Sequence, residues 1–534
     1  MSPSPGRTAD RRRFLRLAGA TSAAAALAGQ LAACDDPDGA DGPDRAARGS
    51  GDRIDAGISG VLSTGFDPVR ASGVTPVAAN THLFEALVDL EPAGRRPYAA
   101  LADRLPTRVD ATTYRVDLRP SATFHDNTPV TTGDVEYSFA RILDPSANSL
   151  MTQFLPFLDT VRALNGSTVE FRLKYPFEFF ASRLSVVKIV PRHAVEADPK
   201  TFDARPVGSG PYRLAADPSP ERVAFRRWEA YNGPKPAKVP DMVWQLLPDG
   251  AARDRALLSG TVAAVDDVPY AEVETMARQV QVEPVESFGN LFLMFNLARR
   301  PFHDKRVRQA LHYALDVDRI VAEAMHGNGS PVVGYLPQSH PAHIRASTVY
   351  RHDPARARAL LASAGATGLD LTLSATDHEW VAAITPLVKE AWDAVGVTTT
   401  LDTAPSADQY RKVDAGEFQV LAAPGDPSVF GNDADLLLRW FYAGTWPAKR
   451  FRWAGSAQDR QLRTLLDQAV QTTDSTRRRS LWSTAFDLIA DEVPLYPVVH
   501  RKLPTAWRLQ RLLGFQALPT TGLSFLDVDA LPGR

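Results

Sequence analysis

Few side chains in this 534-residue chain are placed to do covalent chemistry. The only cysteine is Cys34, so no internal disulfide can form. Two histidines stand three apart in His340-Pro341-Ala342-His343. Two imidazoles could begin a metal site, but no third ligand is near in sequence and Pro341 disfavours a helix leading into it, so an exposed loop is expected. Asp433 and Asp435 could hold charge in a cleft, although acids at that spacing more often open a helix. The sequence has no Gly-x-Ser-x-Gly elbow, no His-Glu-x-x-His, no P-loop and no Gly-x-Gly-x-x-Gly. A Ser–His–acid cluster assembled in space stays open as an alternative, because triads are not sequence motifs. The expectation is a protein that binds without transforming, with no cofactor and no metal.

The amino terminus carries an address. Arg11-Arg12-Arg13-Phe14-Leu15-Arg16 fits the twin-arginine pattern, with Asp10 where Ser or Thr usually stands. Leu17 to Ala33 is an Ala-rich apolar stretch that suits a cleaved signal better than a permanent span. It ends in Leu31-Ala32-Ala33-Cys34, which resembles the bacterial lipobox, where the cysteine sulfur takes a diacylglycerol and becomes the first residue after cleavage. Two acyl chains anchor stably, at about 0.8 kcal/mol per buried CH₂. Residues 1–33 are therefore expected to be a signal peptide and Cys34 the lipidated residue. Residues 34–53, rich in Asp, Gly and Pro, are expected to be a disordered tether. No later stretch is apolar for the roughly 18 residues a span needs. The mature chain is thus expected on the extracytoplasmic face of the cell membrane, held there by lipid.

The chain is 44% hydrophobic and 23% charged with a net charge of −2, enough apolar sequence for a large core and no sign of a nucleic-acid surface. Strands are expected at Ile54–Val61 and in two period-two runs, Tyr114, Val116, Leu118 and Val169, Phe171, Leu173. Helices are expected over Pro76–Leu87, Gly133–Leu143 and Asp304–Leu315. From residue 356 the pattern alternates strand and helix: strands at Leu369–Ala375, Val397–Leu401 and Phe418–Ala422, separated by helical stretches. Thr376 and Glu379 have capping-box spacing, and Pro386 predicts a kink or restart in the helix that follows. Such alternation predicts a largely parallel sheet with helices on its faces.

Several blocks together resemble the solute-binding protein family 5, the peptide/nickel group of ABC importer receptors. They are Phe124-His125-Asp126-Asn127-Thr128-Pro129 running on to Asp134-Val135 and Ser138-Phe139, then Val207-Gly208-Ser209-Gly210-Pro211-Tyr212, then Met294-Phe295-Asn296 with Pro301-Phe302-His303-Asp304-Lys305-Arg306-Val307. Asn127 stands where the family usually has Gly, and Asn tolerates a left-handed turn. The resemblance implies an α/β, two-lobed periplasmic-binding-protein-like fold with a hinge and an inserted subdomain. On this reading residues 54–81, 205–285 and 505–534 form lobe I, 82–204 the inserted subdomain, and 286–504 lobe II. A ligand contacting both lobes would favour their closure.

The same resemblance suggests where the ligand sits. In peptide-binding relatives an acid near Asp426 pairs with the ligand amine, and a carboxylate buried by closure needs a cationic partner. The backbone of Ala422 to Gly425, including Ala423 and Gly425, could pair with an extended ligand as an added strand. Trp380, where a strand gives way to a helix, and Trp440 are the candidate cleft aromatics. The implied partners are a peptide or another small solute (a nickel chelate or an oligosaccharide being alternatives) and the importer's permease and ATPase. The receptor itself is expected to be monomeric, with no nucleic acid bound.

Overall fold

A computed structural model of the protein describes residues 51–532. The expected signal peptide, the expected lipobox with Cys34 and most of the expected tether lie outside the described residues. Ten strands form the path of the main sheet: Arg53–Ile58 (β1), Tyr212–Leu214 (β2), Arg222–Arg227 (β3), Asp241–Leu246 (β4), Ala264–Val265 (β5), Gln281–Phe295 (β6), Asp370–Thr376 (β7), Thr398–Ala404 (β8), Val420–Gly425 (β9) and Leu495–Trp507 (β10). Their order is β8–β7–β9–β6–β10–β5–β1–β4–β3–β2, with a short strand Gly329–Pro331 also on β10.

β6 and β10 tie the two ends of this sheet together. Gln281–Glu286 pairs with Lys502–Trp507, and Asn290–Met294 with Leu495–His500, both antiparallel. Between the two stretches, Ser287 to Gly289 form an irregularity in the ladder. Bulges of this kind bend a strand and raise its twist. The same two strands thus serve one half of the sheet before the bulge and the other half after it. The expected parallel pairing is present away from this centre: β7 runs parallel to β8 and β9, and β1 to β4 and β5. The centre itself is antiparallel, because β6 and β10 run in opposite directions through it. The sheet is therefore mixed, not largely parallel.

A separate four-stranded sheet, Thr107–Arg108, Thr113–Asp117, Thr168–Leu173 and Leu158–Ala163 in that spatial order, belongs to the stretch between β1 and β2. It includes both runs whose alternation predicts strands. Helix Thr132–Leu143 packs beside it, opened by a capping box between Thr131 and Asp134. One apolar cluster joins this region (Val116, Phe171) to the far half of the chain (Leu437, Phe441, Trp482).

Two local expectations fail for identifiable reasons. The first helix stops at Leu83, not Leu87, because the Gly210 amide takes the Leu83 carbonyl (2.9 Å) and Phe84 turns extended. The Thr376–Glu379 capping box does not form: Thr376 still belongs to β7, and the helix Glu379–Asp393 starts after His378 with no side-chain cap. Pro386 lies inside that helix, which is a single element.

Candidate functional site

The motif block around His125 meets the block around Gly208 directly. His125 Nε2 lies 3.0 Å from the Gly210 carbonyl, and its Nδ1 accepts the Gly208 amide at 3.1 Å. A Cβ on Gly208 would stand 1.9 Å from the Leu83 carbonyl oxygen, and one on Gly210 would stand 2.3 Å from that of His82. These glycines let the backbone close on the end of the first helix. Burial pushes the His125 imidazole down to about 4, so it is neutral with both nitrogens bonded. This region is scaffold.

The carboxyl end of β9 is different. Asp426 follows β9, half-buried, and its Oδ1 accepts the Ser428 amide at 3.1 Å, capping a short turn. Its Oδ2 is buried and has no hydrogen-bond partner. Burial raises the Asp426 carboxyl above its ordinary value, against the hydrogen bonds from Ser428, the nearby Thr521 amide and the field of Arg95. Arg95 reaches the same turn from the hairpin formed by Val88–Leu90 and Pro97–Ala99. Its Nη2 donates to the Ser428 carbonyl at 2.6 Å, while its Nε is buried and unpartnered.

Gly425 is paired with Asn290 on β6, which is paired in turn with His500 on β10. Residues directly opposite share a sheet face, so Asn290 and His500 lie side by side. Asn290 Nδ2 donates to the Phe288 carbonyl at 3.2 Å, and His500 Nδ1 contacts the same oxygen at 3.3 Å. Asn290 Oδ1 and His500 Nε2 are left buried without partners. Burial pushes His500 down to about 4 against the carbonyls of Phe288, Gly334 and Tyr335, so the ring is neutral; with its proton on Nδ1, which faces the Phe288 carbonyl, Nε2 is an acceptor. Buried polar atoms are nearly always bonded, so three unpartnered acceptors beside the end of β9 call for a donor.

The structure places the other candidates as follows. Ala423 is bound to Phe292 of β6 on one side of β9, while pairing with β7 ends at Ala422, so an added strand could use only the β7 side. Gly425 has no room for a side chain: a Cβ would stand 2.6 Å from Phe441 Cζ. Trp440 is half-buried and stacks on Phe154 with centroids 6.0 Å apart and beside Phe430 at 5.4 Å. Trp380 is 7% exposed and lies under Arg501, whose guanidinium is 4.6 Å from the ring centroid and also faces Tyr270 at 5.5 Å. Arg501 pairs with Asp267, and despite burial Arg501 and Arg253 hold the Asp267 carboxyl below its ordinary value. The two tryptophans thus occupy separate aromatic groups. Trp440 is grouped with Phe430, four residues past Asp426; Trp380 is on the Arg501 side, and Arg501 points away from the His500 face.

Asp433 and Asp435 do start a helix, Ala434–Tyr442, and both also pair with Arg183 (2.6 and 3.2 Å), whose side chain is wholly buried. His340 and His343 are partly buried, each ring bonded to a carbonyl: His340 to Asn432 and His343 to Leu336. Among the described residues no group of three or more His, Cys, Asp or Glu could hold a metal ion. No helix among them is long and apolar enough to cross a membrane. Asn290, His500, Arg501 and Arg95 were not reachable from motif reasoning. Asn290 alone carried a signal, a polar residue opening the apolar run Leu291 to Phe295.

Comparison with known proteins gives a consistent picture. The family model of bacterial extracellular solute-binding proteins, family 5 Middle, matches residues 96–448. A glutathione-binding protein, GsiB of Shigella dysenteriae, is 27% identical over 476 residues, covering 87% of this chain and 92% of its own. The binding protein AgaA from an Agrobacterium tumefaciens strain, solved with agropinic acid, superposes with a TM-score of 0.78 at 25% identity, over 88% of this chain and 96% of its own. A dipeptide-binding protein of Pseudoalteromonas sp. SM9913, solved with Met-Leu, gives a TM-score of 0.81 at 20% identity, over 90% of this chain and all 100% of its own.

Proposed function

The chain belongs to the bacterial extracellular solute-binding proteins, family 5, and from that premise we propose that it captures di- or oligopeptides in the cleft between its two lobes for an ABC importer. Its fold is the two-lobed α/β fold of periplasmic binding proteins, and proteins of this family work with an importer's permease and ATPase. Lobe I comprises residues 54–81, 205–285 and 505–534, with 82–204 as its inserted subdomain, and lobe II comprises 286–504. The bulge at Ser287–Gly289, where β6 passes from one lobe to the other, is the hinge. The receptor is a monomer that holds its cargo without chemical change. It is exported and tethered through lipid on Cys34, which keeps it beside the importer.

The observation that carries the peptide reading is the buried, unpartnered Oδ2 of Asp426 at the seam between lobes. An ammonium group is the partner such an oxygen lacks, and charge-assisted hydrogen bonds of this kind contribute about 1.5–3 kcal/mol. Asn290 Oδ1 and His500 Nε2 supply two further acceptors suited to amide N–H groups. Calorimetric titration with Met-Leu, with glutathione and with their N-acetyl forms tests this. The free-amine peptides should bind, while acetylation or Asp426→Asn should weaken them about ten- to hundredfold. Asp426→Asn should leave Tm unchanged or slightly higher, because it removes a carboxylate from a buried place. Full affinity of the acetylated forms, or no binding of any peptide, would refute the reading. His500 Nε2, free and unprotonated, favours a metal chelate as the second reading. Binding of nickel–histidine that is lost in His500→Leu would establish it instead.

A further inference from the structure

A cavity with about 540 Å³ of empty space, partly open to solvent, lies on the lobe I side of the seam. Its walls are the helix Val74–Leu83, the hairpin that carries Arg95 and the segment 518–526, and Val429 of lobe II roofs it. Neither sequence motifs nor the reading above gives this space a role.

Its lining is built around a cation that is incompletely paired. Arg95 sits at the hairpin turn with φ of 54°, a left-handed conformation that is rare for a side chain of this size. Its one hydrogen bond across the seam goes to a neutral carbonyl, that of Ser428, and its Nε–H is buried without a partner. The other charges in the wall, Lys188 and Asp89, are paired with each other. Asp426, which does not line the cavity, and Asp89, which does, act on Arg95 through space without bonding it. Hydroxyls of Thr520, Thr521 and Ser524 complete a polar side opposite Val77 and Val429. A guanidinium whose buried Nε–H lacks a partner is unsatisfied until an acceptor joins it, and its planar fork matches an oxyanion.

We propose that this cavity binds a carboxylate, or another oxyanion, of the cargo through Arg95, so that the receptor selects solutes bearing an anionic group. The assignment rests on the solute-receptor reading, since it treats the cavity as part of the cargo site. It places Arg95 as the specificity-determining residue of the lobe I wall. Because Arg95 also holds the Ser428 carbonyl, an anion there would bind where the lobes touch and would favour closure.

Two measurements decide it. In the first, thermal unfolding of the full chain is followed with sodium acetate or phosphate against chloride at fixed ionic strength. The wild type should gain in Tm with one of the two anions and Arg95→Gln should not; acetate alone would mark a carboxylate site and phosphate alone a phosphate site. In the second, Met-Leu and Met-Leu amide are titrated calorimetrically. The wild type should prefer the acid by about tenfold, and Arg95→Gln should bring the ratio near one. Equal anion response in both proteins, equal acid and amide binding in the wild type, or an equal loss for acid and amide in Arg95→Gln would overturn the assignment. The last outcome would make Arg95 a clamp on lobe II only. Failure of either form of Met-Leu to bind would refute the peptide reading, and the anion titration would still decide the cavity. Should Arg95→Gln not fold, Arg95→Lys, which keeps charge but loses the fork, carries the same readouts with a smaller preference expected.

Discussion

Two buried polar regions of this protein differ in one respect. Around Gly208 and Gly210 both ring nitrogens of the buried His125 find backbone partners. Around Asp426, Asn290, His500 and Arg95 each of the four side chains keeps one buried atom free. Polar burial is stabilising or neutral when satisfied and costly when not, so the second arrangement costs stability that the first does not. The comparison teaches that the recognisable motifs of this chain mark where the fold is knitted. On the proposed reading, the unfinished hydrogen bonds at the end of β9 are the ones a ligand would complete.

The largest expected effect falls on the scaffold side. In Gly208→Ala the new Cβ would stand 1.9 Å from the Leu83 carbonyl oxygen, a backbone atom that cannot move without dragging the end of the first helix. A destabilisation above about 4 kcal/mol is expected, the range reserved for core overpacking and broken backbone contacts. Expression yield and Tm would register it, and a soluble variant with near wild-type Tm would break the comparison.

Acid should be the next strongest perturbation. Burial pushes His82, His125 and His500 down to about 4 and His312 to about 3, while burial pushes Asp254 and Asp266 up to about 6. Between pH 6 and 4 the unfolded chain takes a proton on each of four imidazoles that the fold keeps bare. The fold meanwhile keeps protons on two carboxyls whose ordinary value is 3.8. The unfolded state therefore binds about two more protons, four less two, and stability must fall as pH falls. These groups alone give about 2–3 kcal/mol per pH unit. The histidine contribution is fully present above pH 6.5 and is lost as pH drops toward 4. A Tm that stays level from pH 7 to pH 4 would show that other groups cancel it.

Legibility divides along the same line. The four-stranded sheet was readable because Tyr114, Val116 and Val169, Phe171 alternate strictly, and the helix Lys305–Tyr313 because Asp304 caps it and Val307, Ala310 and Leu311 share its buried face. The longest strand, β6, was not read as one element. Pro284 and Gly289 interrupt its pattern, and its ladder with β10 breaks between Glu286 and Asn290. The family resemblance singles out Asp426 but not Arg95. In Glu91-Pro92-Ala93-Gly94-Arg95-Arg96 it is indistinguishable from a solvent-facing turn, and only the approach of Ser428 from 333 positions away buries its Nε. Seams between distant segments leave no local periodicity.

The finest test sets two histidines of similar burial against each other. His125→Leu keeps roughly the ring's volume but strands the Gly208 amide and deprives the Gly210 carbonyl of a partner. At about 1–3 kcal/mol for each buried group left unbonded, a loss of about 2–4 kcal/mol follows. His500→Leu removes only a 3.3 Å contact to the Phe288 carbonyl, which Asn290 Nδ2 still serves at 3.2 Å. Its cost should stay under about 1 kcal/mol, since no other group loses its only partner. Denaturant unfolding of both variants at pH 7.5, where both imidazoles are neutral in the folded and unfolded states, isolates the hydrogen bonds from protonation. Equal losses would mean that His500 is as much scaffold as His125, and that its free Nε2 does not mark a place kept for cargo.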